Sequence, residues 1–231
     1  MRPIFRFFET LAQAQSAAGL SPDHVDKPRY IRDANSSNTP AATHFYVYDF
    51  PDTAMTIQAA VDAAVPGNTL YVDAGIFEED VLLNKAISLQ GNGIGISSII
   101  GPKGGDGATI RITADGAVVD GFTITRFGNN LAEWNDPTLN FAGIAIQGQS
   151  ARGEVSNCAL VGNRTAIDIN NSNGNNIHNN RISLNHTGLI FRNQTDNTDL
   201  QENDIVDNRT MGILFFGCQR WQQCPGTICA K

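Results

Sequence analysis

The sequence predicts a right-handed parallel β-helix, and three observations carry that prediction. Apolar positions recur at 155, 177 and 200, and Asn recurs at 163, 185 and 208, so both series step by 22 and then 23 residues. Each recurrence is followed by a short alternating strand led by Ala or Gly: Ala166-Ile-Asp-Ile-Asn170, Gly188-Leu-Ile-Phe-Arg192 and Gly212-Ile-Leu-Phe-Phe216, with Gly143-Ile-Ala-Ile-Gln147 as an earlier member. No helical pattern separates the strands. Self-similarity at a fixed period of about 20–30 residues marks a solenoid. The Leu-x-x-Leu-x-Leu-x-x-Asn frame of leucine-rich repeats is not met, which leaves three short strands per coil with Asn at the turns.

Along the chain, residues 1–43 read as a flexible N-terminal segment, of which 11–43 are rich in Ala, Ser, Asp, Asn and Pro without periodicity. Its first ten residues are basic and apolar, but Arg6 and Glu9 interrupt them, so they make a poor signal peptide. Order is expected from 44 to 217. His44-Phe-Tyr-Val-Tyr48 alternates like a strand. In Thr56-Ile-Gln-Ala-Ala-Val-Asp-Ala-Ala64, Ile57, Ala60, Val61 and Ala64 fall on one helical face behind a Thr N-cap, and Pro66-Gly67 ends the run. A helix this short is marginal alone, so it is expected to plug one end of the solenoid. Short apolar runs then follow, bounded by Gly, Asn or Asp: 69–72, 81–83, 87–89, 98–100, 109–113, 118–119 and 122–124.

The physics of one coil accounts for this pattern. Strands lie about 4.8 Å above those of the coil below, so backbone groups pair between coils. Inward residues such as Ile167, Ile169, Leu189, Phe191, Ile213 and Phe215 stack into core columns. Asn suits the turns because it tolerates left-handed φ and its amide can bond along a ladder. A single coil cannot bury its own face, so stability rests on neighbours and capped ends.

Hydrophobic residues, at 41%, suffice for a core, while charged residues are only 17%, below the roughly 25% of an average domain. The net charge of −7 argues against a nucleic-acid partner. No apolar run reaches the ~18 residues that span a bilayer. Cys218, Cys224 and Cys229 crowd the tail 218–231 without a nearby His, so a disulfide there is favoured over zinc. Cys158 occupies a position where other coils place Asn and reads as a small buried filler.

The segments 56–64, Leu70-Tyr-Val-Asp-Ala-Gly75, Glu79-Asp-Val-Leu-Leu-Asn84, Ile87-Ser-Leu-Gln-Gly91 and Val119-Asp-Gly-Phe-Thr-Ile124 resemble the pectin-lyase-like β-helix superfamily over roughly 45–217. Polysaccharide lyases, epimerases and periplasmic copper-site-maturation β-helix proteins share these repeats. The resemblance implies the fold and an extracellular, cell-surface or periplasmic setting. Methylesterase activity does not carry over, because the Gln-Asp and Asp-Phe-Ile-Phe-Gly strands of pectin methylesterases are replaced here by 166–170 and 188–192. The Asp-Pro-His-Glu signature of alginate epimerases is also missing.

The resemblance places the site on the outer face of the strand that begins each repeat's alternating run. Two outward columns follow: Arg111, Ala145, Asp168, Ile190, Leu214, and Thr113, Gln147, Asn170, Arg192, Phe216. Asp168, Asn170, Gln147, Arg192 and Arg111 would form one polar patch within about 15 Å. That set suits an acidic polysaccharide. Arg pairs with a sugar carboxylate, and Asp168 would act as base or help hold Ca²⁺. As catalytic residues we take Asp168 and Arg192. The interval from Phe122 to Cys158 is 36 residues, about 14 more than the repeat, and the resulting insertion, Phe127–Phe141, precedes strand 143 and offers Glu133, Trp134 and Asp136 as further sugar contacts. Arg164, His186 and Arg209 form a third, basic column behind the turn Asn residues, and His178 stands alone on another face. The sequence therefore supports a carbohydrate-associated protein, lyase- or epimerase-like in its sharpest form. The alternative is a non-catalytic structural module of a larger surface or phage protein. An uncovered last coil would invite association: the tail caps it, the chain is part of something longer, or it forms a homo-oligomer.

Overall fold

The computed structural model describes residues 30–32, 44–47, 56–105, 107–128, 132–136, 138, 142–148 and 152–217. The lead-in apart from 30–32, and the Cys-rich tail 218–231, lie outside the described residues. The chain winds as a right-handed parallel β-helix of three sheets, as the period requires. The first sheet has eight strands, running from Tyr30–Arg32 and His44–Val47 through Thr69–Val72, Ser88–Gly91, Val118–Asp120, Glu154–Ser156 and Asn176–His178 to Asp199–Gln201. The second has six, Gly75–Glu78, Ser97–Gly101, Thr123–Arg126, Ala159–Val161, Arg181–Ser183 and Asp204–Val206. The third also has six, Val81–Leu83, Ile110–Ile112, Ala142–Ile146, Thr165–Asn170, Thr187–Arg192 and Met211–Phe216. The described pairings are parallel except that of Tyr30–Arg32 with His44–Val47.

The core columns stand where the repeat puts them. Ile144, Ile167, Leu189 and Ile213 are in register, as are Ile146, Ile169, Phe191 and Phe215. The rings of Phe191 and Phe215 stack at 5.0 Å. Most of these side chains are fully buried in one continuous core, each contributing about 1.5–3 kcal/mol. Strand Gly75–Glu78 has no counterpart among the expected runs, because Ile76 faces outward and Phe77 packs only partly against the core.

The helix forms over Ile57–Ala63, with Ile57, Ala60 and Val61 buried in the core as its plug. Thr56 Oγ1 accepts the Ala59 amide at 3.0 Å. The rest of its capping comes from one coil away. Glu79 accepts the amides of Ile57 at 2.7 Å and Gln58 at 2.9 Å. Burial pushes its carboxyl above the ordinary value, and those two amides draw it back. Lys85 Nζ donates to the carbonyls of Val61, Asp62 and Ala64. An anion at the N-terminus and a cation at the C-terminus both match the helix dipole.

The turns divide two jobs that Asn was expected to combine. Left-handed φ falls on one residue and the ladder amide on the next. Asn157, Asn179 and Glu202 have φ near +50° and precede Cys158, Asn180 and Asn203. Gly162, Leu184 and Asp207 have φ of +70°, +57° and +53° and precede Asn163, Asn185 and Asn208. The ladder Asn Oδ1 accepts the backbone amide of the coil before it: Asn185 accepts from the Asn163 amide at 2.8 Å and Asn180 from the Cys158 amide at 3.0 Å. Cys158 is thus the buried first rung of the second ladder, as its filler role requires. Leu184 is 59% exposed, so it gains little from packing while bearing the left-handed penalty of about 1–2 kcal/mol. We expect Leu184→Gly, which matches Gly162 one coil earlier, to raise stability by ~0.5–1 kcal/mol and the melting temperature by ~2–4 °C. Calorimetry showing an unchanged or lower melting temperature would contradict this.

Candidate functional site

Both outward columns exist on the third sheet. Arg111, Ala145, Asp168, Ile190 and Leu214 are in register, and so are Asn170, Arg192 and Phe216. Gln147 directly follows Ile146, which pairs with Ile169, so it leads into the same row as Asn170. The strand alternation puts these side chains outside because their neighbours Ile167, Ile169, Leu189 and Phe191 are drawn into the core.

Asp168 is not a solvated surface carboxylate. The residue is only 9% exposed, and Ala145, in register beside it, belongs to a small buried cluster with Ala108 and Ala142. Arg192 Nε lies 3.2 Å from Asp168 Oδ1, yet both atoms are buried without a hydrogen-bond partner. The two observations agree if the N–H is misaligned: this is a close charge contact and not a formed hydrogen bond. Burial raises the affinity of Asp168 for a proton, and Arg192 and then Arg164 oppose that shift. Asn170 Oδ1 accepts from Asn193 Nδ2 at 2.7 Å. Arg111 forms no ion pair among the described residues.

The insertion meets the helix along the corner that leads into the third sheet. Trp134 is buried, 7% exposed. Its carbonyl accepts from Arg164 Nε at 2.9 Å, its ring meets His186 edge-on at 5.7 Å, and the Arg209 guanidinium lies 6.0 Å from the ring centre. The basic column is therefore the seat of Trp134, and the indole is not open to stack on a sugar. Burial, then Arg164 and Arg209, hold His186 below the ordinary histidine range. Glu133 pairs with Lys103. Asp136 accepts from the Thr138 hydroxyl and amide, which lower its carboxyl value. Glu133 and Asp136 are thus held within the insertion and its neighbours. His178 stands on the first sheet between Ser156 and Gln201, with Nε2 3.1 Å from Glu154 Oε1. Sequence reasoning missed that Arg164 links the insertion to Asp168. A residue that precedes its strand gives no periodic signal.

Residues 57–222 match the family described as periplasmic copper-binding protein (NosD). The chain belongs to the NosD family. Among solved structures, it is similar to a pectin methylesterase mutant in complex with a hexasaccharide. The TM-score is 0.50 and the identity 18%, covering 64% of this chain and 51% of that one. The chain thus spans about half the length of that protein, and the likeness is one of fold. A second similar structure is described as a glycosyl hydrolase from Parabacteroides merdae, with TM-score 0.38 and 14% identity, covering 70% of this chain and 87% of that one. Comparison with curated proteins returns no match. Among the described residues no helix is long and apolar enough to cross a membrane.

The family description implies copper, and the described residues do not fit it. They contain no group of three His, Cys, Asp or Glu side chains able to hold a metal ion.

Proposed function

We propose that this NosD-family β-helix is a periplasmic binding protein for an acidic polysaccharide, which it takes on the outer face of its third sheet. The observation that supports this reading is the Asp168–Arg192 contact, a buried charge pair whose facing atoms, Oδ1 and Nε, have no protein hydrogen-bond partner. Leaving such atoms unsatisfied is costly, and a uronate supplies what they lack: a carboxylate for the guanidinium and hydroxyls for the aspartate. Arg111, Gln147 and Asn170 extend the same face. Because the whole chain is acidic, long-range attraction does not draw a polyanion in, so recognition rests on close contacts at these residues.

In the sharper form of this reading the site is a lyase. Asp168 takes the proton beside the sugar carboxylate while Arg192 neutralises that carboxylate. The electron pair forms a carbon–carbon double bond as the glycosidic C–O bond breaks, and the departing oxygen takes a proton from water. Among the described residues of the two outward columns Asp168 is the single carboxylate, which favours binding over Ca²⁺-dependent cleavage; a bound Ca²⁺ ordinarily takes 6–8 oxygens.

The test is calorimetric titration with pectate, alginate and glycosaminoglycan oligosaccharides, with and without Ca²⁺, alongside ultraviolet absorbance for an unsaturated product. Binding to at least one is expected, with Arg192→Ala weakening it about tenfold or more, the size of one charge-assisted hydrogen bond. Absence of binding to all of them would sink the proposal. Binding without absorbance would keep the binding protein and remove the lyase.

A further inference from the structure

We propose that the corner between the second and third sheets binds a tetrahedral oxyanion, a sulfate or phosphate group, on the column formed by Arg164, His186 and Arg209. The backbone stacks these three side chains. Each directly follows a ladder Asn, and the amides of His186 and Arg209 donate to the carbonyls of Asn163 and Asn185 at 2.9 and 2.8 Å. Successive members therefore stand one coil, about 4.8 Å, apart. Basic groups at that spacing repel one another unless a negative charge lies among them.

No protein carboxylate takes that place. Neither Arg164 nor Arg209 forms an ion pair among the described residues. Asp168 feels Arg164, but its leading counter-charge is Arg192. Glu133, next to Trp134 in the chain, is turned to Lys103. Burial and the two guanidinium groups disfavour the charged form of His186, and no acid opposes them. The hydrogen bonds show the same imbalance. Arg164 Nε donates to the Trp134 carbonyl at 2.9 Å, while its two Nη groups meet no protein acceptor among the described residues. The Arg209 guanidinium has no such acceptor either and lies 6.0 Å from the centre of the Trp134 ring. Trp134 Nε1 is buried without a partner. The His186 ring nitrogens meet only the hydroxyls of Thr187 at 3.3 Å and Thr210 at 3.1 Å.

Donors thus outnumber acceptors at this corner, and positive charge goes unmatched in a chain whose net charge is −7. A tetrahedral oxyanion is the complementary group. It only accepts, it brings up to two negative charges, and its oxygens diverge, so guanidinium groups on different coils can meet it together. A metal cation would add to the repulsion. The site is separate from the Asp168–Arg192 contact and does not rest on the polysaccharide reading.

The test titrates the full chain with sodium sulfate and with phosphate at fixed ionic strength, chloride being the control, followed by calorimetry and by the NMR signals of the His186 ring. Sulfate is expected to bind with a Kd of about 1 mM or tighter and to raise the protonation midpoint of His186, because an anion favours the charged imidazole. Arg209→Gln, at an exposed position, should weaken sulfate about tenfold with an unchanged circular dichroism spectrum. Arg192→Ala should leave sulfate binding as it is, so this site and the polysaccharide reading fail separately. Sulfated and unsulfated forms of one oligosaccharide then distinguish the source: preference for the sulfated form assigns the group to a polymer, and binding of inorganic sulfate alone assigns it to a free ion. The proposal is overturned if sulfate and phosphate bind no better than chloride, if Arg209→Gln binds them as tightly as the parent, or if the His186 midpoint does not move.

Discussion

Replacing Asn185 with alanine is expected to lower stability by about 3–5 kcal/mol, seen in urea as an earlier midpoint with an unchanged slope. The side chain is fully buried, and its amide serves five groups. Nδ2 donates to the carbonyls of Leu160 at 2.9 Å and Ser183 at 3.0 Å, and to Asn208 Oδ1 at 3.0 Å. Oδ1 accepts from the Asn163 amide at 2.8 Å and from Asn163 Nδ2 at 3.1 Å. Alanine would strand at least one buried donor, the Asn163 amide, and one buried acceptor, the Leu160 carbonyl. Each stranded group costs about 1–3 kcal/mol, and the emptied volume adds to this.

The ladder gives this prediction an internal control. Asn208 supplies its Oδ1 to Asn185 in the same way, at 3.1 Å from the amide, but it stands half-buried on the last described coil. Water can replace part of what it provides there, so Asn208→Ala should cost less than Asn185→Ala. Equal losses, or a loss at Asn185 below about 1 kcal/mol, would mean that the amide column is incidental to holding the coils together.

The parts of this architecture that repeat were legible in the sequence, and the parts that do not repeat were hidden. In a β-helix, register is sequence spacing. Steps of 22 and 23 residues were enough to bring Ile167 over Leu189 and Asp168 beside Arg192. The helix over 57–63 declared itself by period and by Thr56. Three things had no periodic signature. Asp168 reads as an outward residue, and it is; its burial depends on what lies over the third sheet. Trp134 sits in an insertion that breaks the repeat, so its seat on Arg164, His186 and Arg209 was beyond prediction, although the column itself was visible. Leu184 and Glu202 adopt left-handed turns without being residues that favour them, because the position is imposed by the coils on either side. Glu79 is an intermediate case: it caps Ile57 and Gln58 from 21 to 22 residues away, one coil, and that spacing was on the page without pointing to a cap.

The second large effect is expected at a pair that the sequence conceals. Arg126 and Asp80 are 46 residues apart, two coils, and form a bidentate contact: Nη1 to Oδ1 at 2.7 Å and Nη2 to Oδ2 at 3.0 Å. The Arg126 side chain is fully buried. Glycines admit it. A Cβ on Gly105 would stand 2.2 Å from Asp80 Oδ2 and 2.6 Å from Arg126 Nη2, and one on Gly101 would stand 2.6 Å from Nη1. Space has thus been cleared for a buried charge, which Asp80 meets with both carboxylate oxygens. Asp80→Ala should cost about 3–5 kcal/mol, the range for removing one member of a buried pair. Replacing both, as Asp80→Ala with Arg126→Met, should recover most of the loss, because no buried charge then remains unpaired. Urea denaturation of the single and double variants decides it. If Asp80→Ala costs less than about 1 kcal/mol, Arg126 must reach solvent readily and the contact behaves as a surface ion pair. If the double variant is no better than the single, the loss belongs to packing against Gly101 and Gly105 and not to the stranded guanidinium.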